Sequence, residues 1–355
     1  MRIAIWTLLA LTGTGTLILF LTTLGIFNIN KESSTLTSIP SPEFSAWIPW
    51  WDEERAITSL ERTGKKLKFI LPVWYRVDEN GKISEISSNL KDKILKKAID
   101  NNLSIIPTIS NASTTGFDPE RVSILVSDQN LRKEEVENLV NLANKKGFGG
   151  WDLDFEQVYE KDRENYSKFV SVLSENLHKE GLLLSVTVHA QTGSVYDWEG
   201  TKGQDIKSIG KYADFVRIMA YDFHNQDSLP GPITPLSWLE SILEYAVDVL
   251  PTEKIVLALP TYGYDWSEAK VKPVQYTDAV DLLNQQGKSW ERDKKSHALT
   301  GEYDAAGEKH TLWFEDADSL KKKIEIAKKF GIYQFALWRL GGEDPKIWEK
   351  LEQNN

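Results

Sequence analysis

The sequence predicts an α/β protein closed into a (β/α)8 TIM barrel. Three observations carry this expectation. Eight short apolar runs recur between residues 44 and 338, most of them separated by amphipathic stretches, which is the pattern of repeated βα units. They occupy roughly 310 residues, a length that suits one such barrel carrying an insertion. The polar and aromatic residues that stand out in these runs fall at their C-terminal ends, where barrels of this kind collect reactive groups. A doubly wound open sheet is the alternative, but eight evenly cycled units favour closure.

Taken in order, residues 3–27 carry no charge and are rich in Leu, Ile and Thr. At ~1.5 Å per residue they suffice to cross a hydrocarbon layer of ~30 Å. A cleavable signal peptide has a shorter apolar core and ends in small residues, and neither feature stands out here. Residues 1–27 are therefore expected to form a transmembrane anchor, with a secreted, cleaved form as the alternative. Arg2 is the one flanking side-chain charge on the N-terminal side, which places the remainder outside the cytoplasm. Residues 28–43, with Ser33-Ser34-Thr35, Pro40 and Pro42, read as a flexible linker.

The barrel proper is expected over residues 44–350, with strands at 44–51, 67–75, 103–109, 149–156, 182–188, 215–221, 254–260 and 332–338. The helix before the fourth strand aligns Val136, Leu139, Val140 and Ala143 on one face and stops at Gly147. The helix after it aligns Tyr166, Phe169, Val170, Leu173 and Leu177 and stops at Gly181. A third aligns Leu320, Ile324 and Ala327, and its Lys321-Lys322-Lys323 run reads as a solvated face. Residues 265–315 break the rhythm. With turn signals at Gln286-Gly287 and Ala306-Gly307 and a strand candidate at 310–314, they read as a small α+β insertion rimming the barrel mouth.

The fourth strand carries the most unusual pattern. Asp152, Asp154 and Glu156 alternate with Trp151, Leu153 and Phe155, so a period of two puts all the acids on one face and the large apolar groups on the other. Like charges at ~6–7 Å along one face are unfavourable, and an ordinary strand avoids them. The other strand ends contribute Trp50 and Trp51, Trp74 and Tyr75, Tyr221 and Asp222, Tyr262 and Trp266, and Trp338, while Trp47 reads as packing. Flat rings stack on sugar faces, and carboxylates handle protons at a glycosidic oxygen. Burial and mutual repulsion should keep at least one acid protonated near neutral pH.

These residues bear a family resemblance. The stretch 149–156 resembles the Asp-x-x-Asp-x-Asp-x-Glu signature of glycoside hydrolase family 18, the chitinase-like barrels. Residues 219–224 (Met-Ala-Tyr-Asp-Phe-His) and 259–266 (Leu-Pro-Thr-Tyr-Gly-Tyr-Asp-Trp) are similar to that family's strand-six and strand-seven motifs, and 336–345 resembles the ending found in bacterial cell-wall and spore-associated members. The resemblance implies that Glu156 donates a proton to the leaving oxygen. Asp154 would orient the substrate's N-acetyl group, whose oxygen attacks the anomeric carbon, and Asp152 would share charge or a proton with Asp154. Tyr221 would hydrogen-bond the N-acetyl group and Trp338 would form the floor under the sugar. Asp222, Trp50, Trp74, Tyr262 and Trp266 complete the expected substrate-binding set. One departure stands out: Gly149 occupies the place of the signature's first Asp.

The expected function is hydrolysis of β-1,4 bonds in a polysaccharide or oligosaccharide containing N-acetylglucosamine, either chitin or peptidoglycan, by a retaining, substrate-assisted route. A non-catalytic, lectin-like barrel is the alternative; such relatives usually lose the terminal Glu, and Glu156 is present. A net charge of −10 argues against nucleic acid as a partner. With no cysteine there is no disulfide. His189 and His224 lack a third converging ligand, so neither a metal nor another cofactor is expected. The barrel is expected to act as a monomer.

Overall fold

The computed structural model describes residues 41–352 except residue 196. The apolar segment 1–27 and nearly all of the linker lie outside the described residues. Among the described residues, no helix is long and apolar enough to cross a membrane.

Eight parallel strands form the barrel: β1 (Glu43–Pro49), β2 (Phe69–Val77), β3 (Thr108–Ser110), β4 (Gly150–Asp154), β5 (Leu183–His189), β6 (Phe215–Met219), β7 (Ile255–Pro260) and β8 (Gln334–Trp338). Each pairs with its neighbour in sequence, and β8 pairs with β1, so no edge remains open. The expected third strand is split into Ser104–Ile105 and Thr108–Ser110. The break falls at Ile106-Pro107, where proline has no N–H to give to the ladder.

Strand alternation divides the core in two. In β4, Trp151 and Leu153, followed by Phe155, point outward into the layer between barrel and helices. There Phe155 lies 5.7 Å from Tyr166 and 6.4 Å from Phe169 of helix α3 (Arg163–Lys179). The barrel interior holds a smaller cluster, in which Trp47, Leu71, Val73, Ile106, Val256 and Ala336 fill the axis. Helix α1 (Glu53–Thr63) follows β1. Helix α2 (Gln129–Lys146) starts where the Asp128 side chain accepts from two backbone N–H groups and stops at Gly147, whose φ of 68° is the left-handed conformation that glycine adopts without cost.

Helix α4 (Ala317–Lys329) corrects one expectation. Of the three lysines at 321–323, Lys323 is fully buried, and its Nζ lies 2.5 Å from Oε2 of the equally buried Glu315. Position 323 shares the inward face with Leu320, Ile324 and Ala327, so helical geometry overrides the charge of the run. Between β7 and β8 the chain builds a five-stranded antiparallel sheet from Tyr262–Trp266, Val271–Gln275, Trp290–Arg292, Leu299–Ala305 and Glu308–Phe314. Helix Tyr276–Gln285 packs on it around a core that includes Leu283, Leu312 and Phe314. The Arg55–Asp278 ion pair ties this helix to α1.

The glycine pair that opens β4 is constrained at the backbone. At Gly150 (φ 150°) an added Cβ would stand 1.9 Å from the Leu183 carbonyl oxygen. At Gly149 the obstacle is the Ser104 hydroxyl at 2.2 Å, a side-chain atom that can rotate away. Gly150→Ala is therefore expected to cost at least ~2 kcal/mol, combining backbone strain with a clash against main chain, and Gly149→Ala clearly less. Urea unfolding of the two variants checks the order.

Candidate active site

At the bottom of the acid row, Asp152 is fully buried on β4. Its carboxylate accepts from Trp47 Nε1 at 3.2 Å (β1), from Thr108 Oγ1 at 3.0 Å (β3) and from Thr187 Oγ1 at 3.1 Å (β5). An indole N–H can only donate, so the Asp152 oxygen facing Trp47 acts as an acceptor. One turn of the pleat higher, Asp154 points into a cleft of about 590 Å³, within the usual size range of small-ligand sites. Its Oδ1 is buried and has no hydrogen-bond partner among the described residues. Burial, reinforced by the charge of Asp152, raises its carboxyl to about 8.

Glu156 lies two residues beyond the end of β4, so the strand itself does not fix it. Asn111 does. Its side chain accepts from the Glu156 backbone N–H and donates to the Glu156 carbonyl, both at 2.9 Å. Burial, followed by the charges of Asp154 and Asp222, raises the Glu156 carboxyl well above the usual carboxylate range. His189, at the end of β5, has its Nε2 3.4 Å from Oε2 of Glu156. Burial lowers this imidazole to about 4, which leaves it neutral at physiological pH, and Trp198 packs edge-on against it at 4.6 Å.

The far wall comes from β6, β7 and the insertion. Tyr221 and Asp222 follow β6, and Asp222 sits at φ 61°. Its Oδ1 accepts from the Tyr262 and Tyr264 hydroxyls, the latter at 3.0 Å. Burial raises the Asp222 carboxyl, while these two donors pull it back. Burial also raises Tyr221 far above the ordinary phenol value, with the charges of Asp154 and Glu156 adding to the effect, so its hydroxyl remains a neutral donor. Trp338 ends β8 and lines the cleft, 5.8 Å from Trp47. Among the described residues no metal-binding group of three His, Cys, Asp or Glu side chains is present.

A profile of the family described as Glycosyl hydrolases family 18 matches residues 47–343. The chain belongs to that family. It is 28% identical over 254 residues to the cortical fragment-lytic enzyme of Bacillus subtilis, covering 70% of this chain and 59% of that protein. The solved spore cortex-lytic enzyme SleL of Bacillus cereus superposes with a TM-score of 0.82 at 26% identity, over 89% of this chain and 75% of that one. A chitinase from Chromobacterium violaceum superposes with a TM-score of 0.81 at 28% identity, over 88% of this chain and 98% of that one.

Within this family 18 barrel, Asp154, Glu156, Tyr221, Asp222 and Trp338 all line the cleft, and Asp152 lies directly beneath. The remaining aromatic expectations need correction. Trp74 is fully buried in the layer between barrel and helices, where its indole N–H donates to Glu53 at 2.9 Å. β2 continues to Val77, so Trp74 is not at the strand's end, and alternation with the inward Leu71 and Val73 turns it outward. Tyr262 and Trp266 are buried behind the wall. The first donates to Asp222, and the second donates to the Asn225 and Ser228 carbonyls, pinning the loop after β6. Trp50 is exposed on the rim, edge-on to Trp51 and outside the cleft lining. Asn111, Tyr264, Trp198 and Arg217 also stand in or around the site, outside the set expected from the sequence. Only Arg217 carried a signal, a lone cation inside an apolar strand.

The raised carboxyl of Asp154 makes stability depend on pH. Between its unperturbed value of 3.8 and about 8, the folded protein binds a proton at this site that the unfolded chain does not. The stabilising contribution is complete at the acid end and is lost as pH rises through about 8. Asp154→Asn removes the titration, so relative to the native protein the variant should gain stability steadily from pH 4 to pH 8. Urea midpoints at pH 4, 6 and 8 test this, and parallel profiles for the two proteins would contradict it.

Proposed function

We propose that this chain cleaves β-1,4 bonds in a polymer containing N-acetylglucosamine, chitin or peptidoglycan, with retention of configuration and with the substrate's own acetamido oxygen as nucleophile. The observation that carries the reading is the buried, unpartnered Oδ1 of Asp154 in one cleft with Glu156, whose carboxyl burial raises well above the usual carboxylate range. A buried acceptor with no partner in the protein is suited to a donor from the ligand, and the acetamido N–H of a bound sugar supplies one. Holding that N–H turns the acetamido oxygen toward C1.

Each group then has a task. Glu156 gives its proton to the glycosidic oxygen as the C1–O bond breaks, and the acetamido oxygen bonds to C1 to form a cyclic oxazolinium ion. The ring N–H donates to the unpartnered Oδ1 of Asp154. The Tyr221 hydroxyl donates to the acetamido oxygen, and Trp338 offers its face to the sugar. Water then attacks C1 and yields its proton to Glu156, which restores the starting state. No second carboxylate acts as nucleophile, which is the substrate-assisted exception among glycosidases. The spore-cortex and chitinase relatives support a substrate of this class. A barrel exported or anchored by residues 1–27 would meet it outside the cytoplasm.

Chitooligosaccharides and purified peptidoglycan, each incubated with the native protein and with Glu156→Gln, test the reading. Native protein should release fragments ending in N-acetylglucosamine whose new reducing ends are initially β by proton NMR, and Glu156→Gln should lower kcat by about 10²–10⁴-fold. Absence of cleavage of both polymers by native protein would refute the activity. An initially α product would refute retention, and equal rates in both proteins would refute the role of Glu156.

A further inference from the structure

Beneath the acids stands a buried cation. Arg217 lies on β6 between Val216 and Ile218, which face the helices, so alternation turns Arg217 into the barrel beside Phe215. It is 1% exposed. Its Nε donates to Ser185 Oγ and its Nη1 to Ser45 Oγ, both at 2.7 Å, which anchors the guanidinium to β5 and β1 at once. Nε lies 3.6 Å from Asp152 Oδ1, and the guanidinium carbon is 5.8 Å from the Trp47 ring.

A guanidinium keeps its charge, and burying it without a nearby anion is strongly unfavourable. Its two hydrogen-bond partners are neutral hydroxyls, so the compensating charge comes from Asp152. Burial lowers Arg217 only to about 10 and Asp152 pulls it back up, so it remains cationic at neutral pH. The other groups around Asp152 supply no positive charge. Trp47, Thr108 and Thr187 are neutral donors, Tyr166 behind the strand and Tyr221 above it are neutral phenols, and Asp154 is the neighbouring acid. Higher in the cleft are Glu156, Asp222 and the neutral His189.

We propose that Arg217 is a positioning residue: it fixes negative charge on Asp152 from below, so that the one proton of the Asp152–Asp154 pair rests on Asp154 and the pair stays singly protonated well into the acid range. The proposal rests on the reading of the site given above. Two adjacent buried carboxyls readily take up a second proton as pH falls. An opposite charge within ~4–6 Å opposes that uptake. Oδ1 of Asp154 then remains an acceptor for the acetamido N–H under acid conditions, with the pair's negative charge directly behind it.

The test uses the full protein with Arg217→Gln and Arg217→Lys. Infrared titration of protein carrying carbon-13-labelled aspartate follows the pair without substrate and leaves Glu156 and His189 silent; the Asp154→Asn and Asp222→Asn spectra separate the pair from Asp222. Arg217→Gln should raise the pair's lower titration midpoint by about one pH unit or more. The acid limb of kcat/KM on chitooligosaccharides should move the same way, with kcat reduced and KM changed less than about twofold, while Arg217→Lys stays near the native midpoint. If Arg217→Gln does not fold, Ser45→Ala combined with Ser185→Ala, which frees the guanidinium but keeps its charge, should give a smaller shift in the same direction. An unchanged midpoint in whichever neutralised or freed variant folds overturns the proposal. If native protein cleaves neither polymer, the proposed activity fails, and the infrared titration still decides the role of Arg217.

Discussion

Three carboxyl groups carried by β4 and the chain just beyond it, gathered at one mouth of a closed barrel, are the constraint on which the rest of this structure depends. In a low-dielectric interior, three charges at such spacing would repel one another strongly and each would also lose its hydration. The chain resolves this by giving each acid a different environment. Asp152 has three donors and a guanidinium close by. Asp154 has no partner on its buried Oδ1, and Glu156 is held only through its backbone by Asn111. One group with full hydrogen-bond support and two raised, proton-holding groups are a stable combination, whereas three equal ones are not.

That division needs a barrel rather than an open sheet. The partners of Asp152 come from β1, β3, β5 and β6, and only closure brings β1 and β6 to the same point on the axis. It also needs the opposite face of β4 to be entirely apolar. Trp151, Leu153 and Phe155 lock the strand against the helices, so a one-residue slip, which would turn the acids into the hydrophobic layer, is strongly opposed. Acid row and apolar row are thus two consequences of one alternation, and the second secures the first.

The same alternation explains what the sequence made legible. A strict period of two across 151–156 told which face held acids, and position in the repeat told which end of the barrel they occupied. Asp154, Glu156, Tyr221, Asp222 and Trp338 could be brought to one mouth on that basis alone, because each lies at or just past a strand's end. Trp74, Tyr262 and Trp266 were misjudged for a shared reason: nearness to a strand's end says nothing about the direction of a ring. The parity of β2 turns Trp74 outward. The insertion sheet begins at Tyr262, so Tyr262 and Trp266 belong to a second sheet that backs the wall. Lys323 is the corresponding lesson for helices, since a run of three identical charges hides which one lies on the buried stripe. Asn111 carried no local signal at all, because its function depends on a loop 45 residues away in sequence.

Asn111 also bears on how Glu156 can work. A group on a strand inherits the rigidity of the sheet, but it is held at the depth the sheet imposes. Glu156 has left the strand: the chain turns at Gln157, at φ 55°, and the carboxyl reaches the part of the cleft where a bound ligand would lie, next to a neutral His189 that neither ionises it nor competes strongly for its proton. The cost of leaving the sheet is lost positional certainty, and the paired hydrogen bonds from Asn111 restore it at the backbone. The proton donor proposed for Glu156 would be served by that combination, with a fixed main chain and a carboxyl that no hydrogen bond among the described residues engages. Asp152 has the reverse arrangement, with every oxygen engaged, and this contrast between neighbouring acids is the strongest physical argument that they do different work.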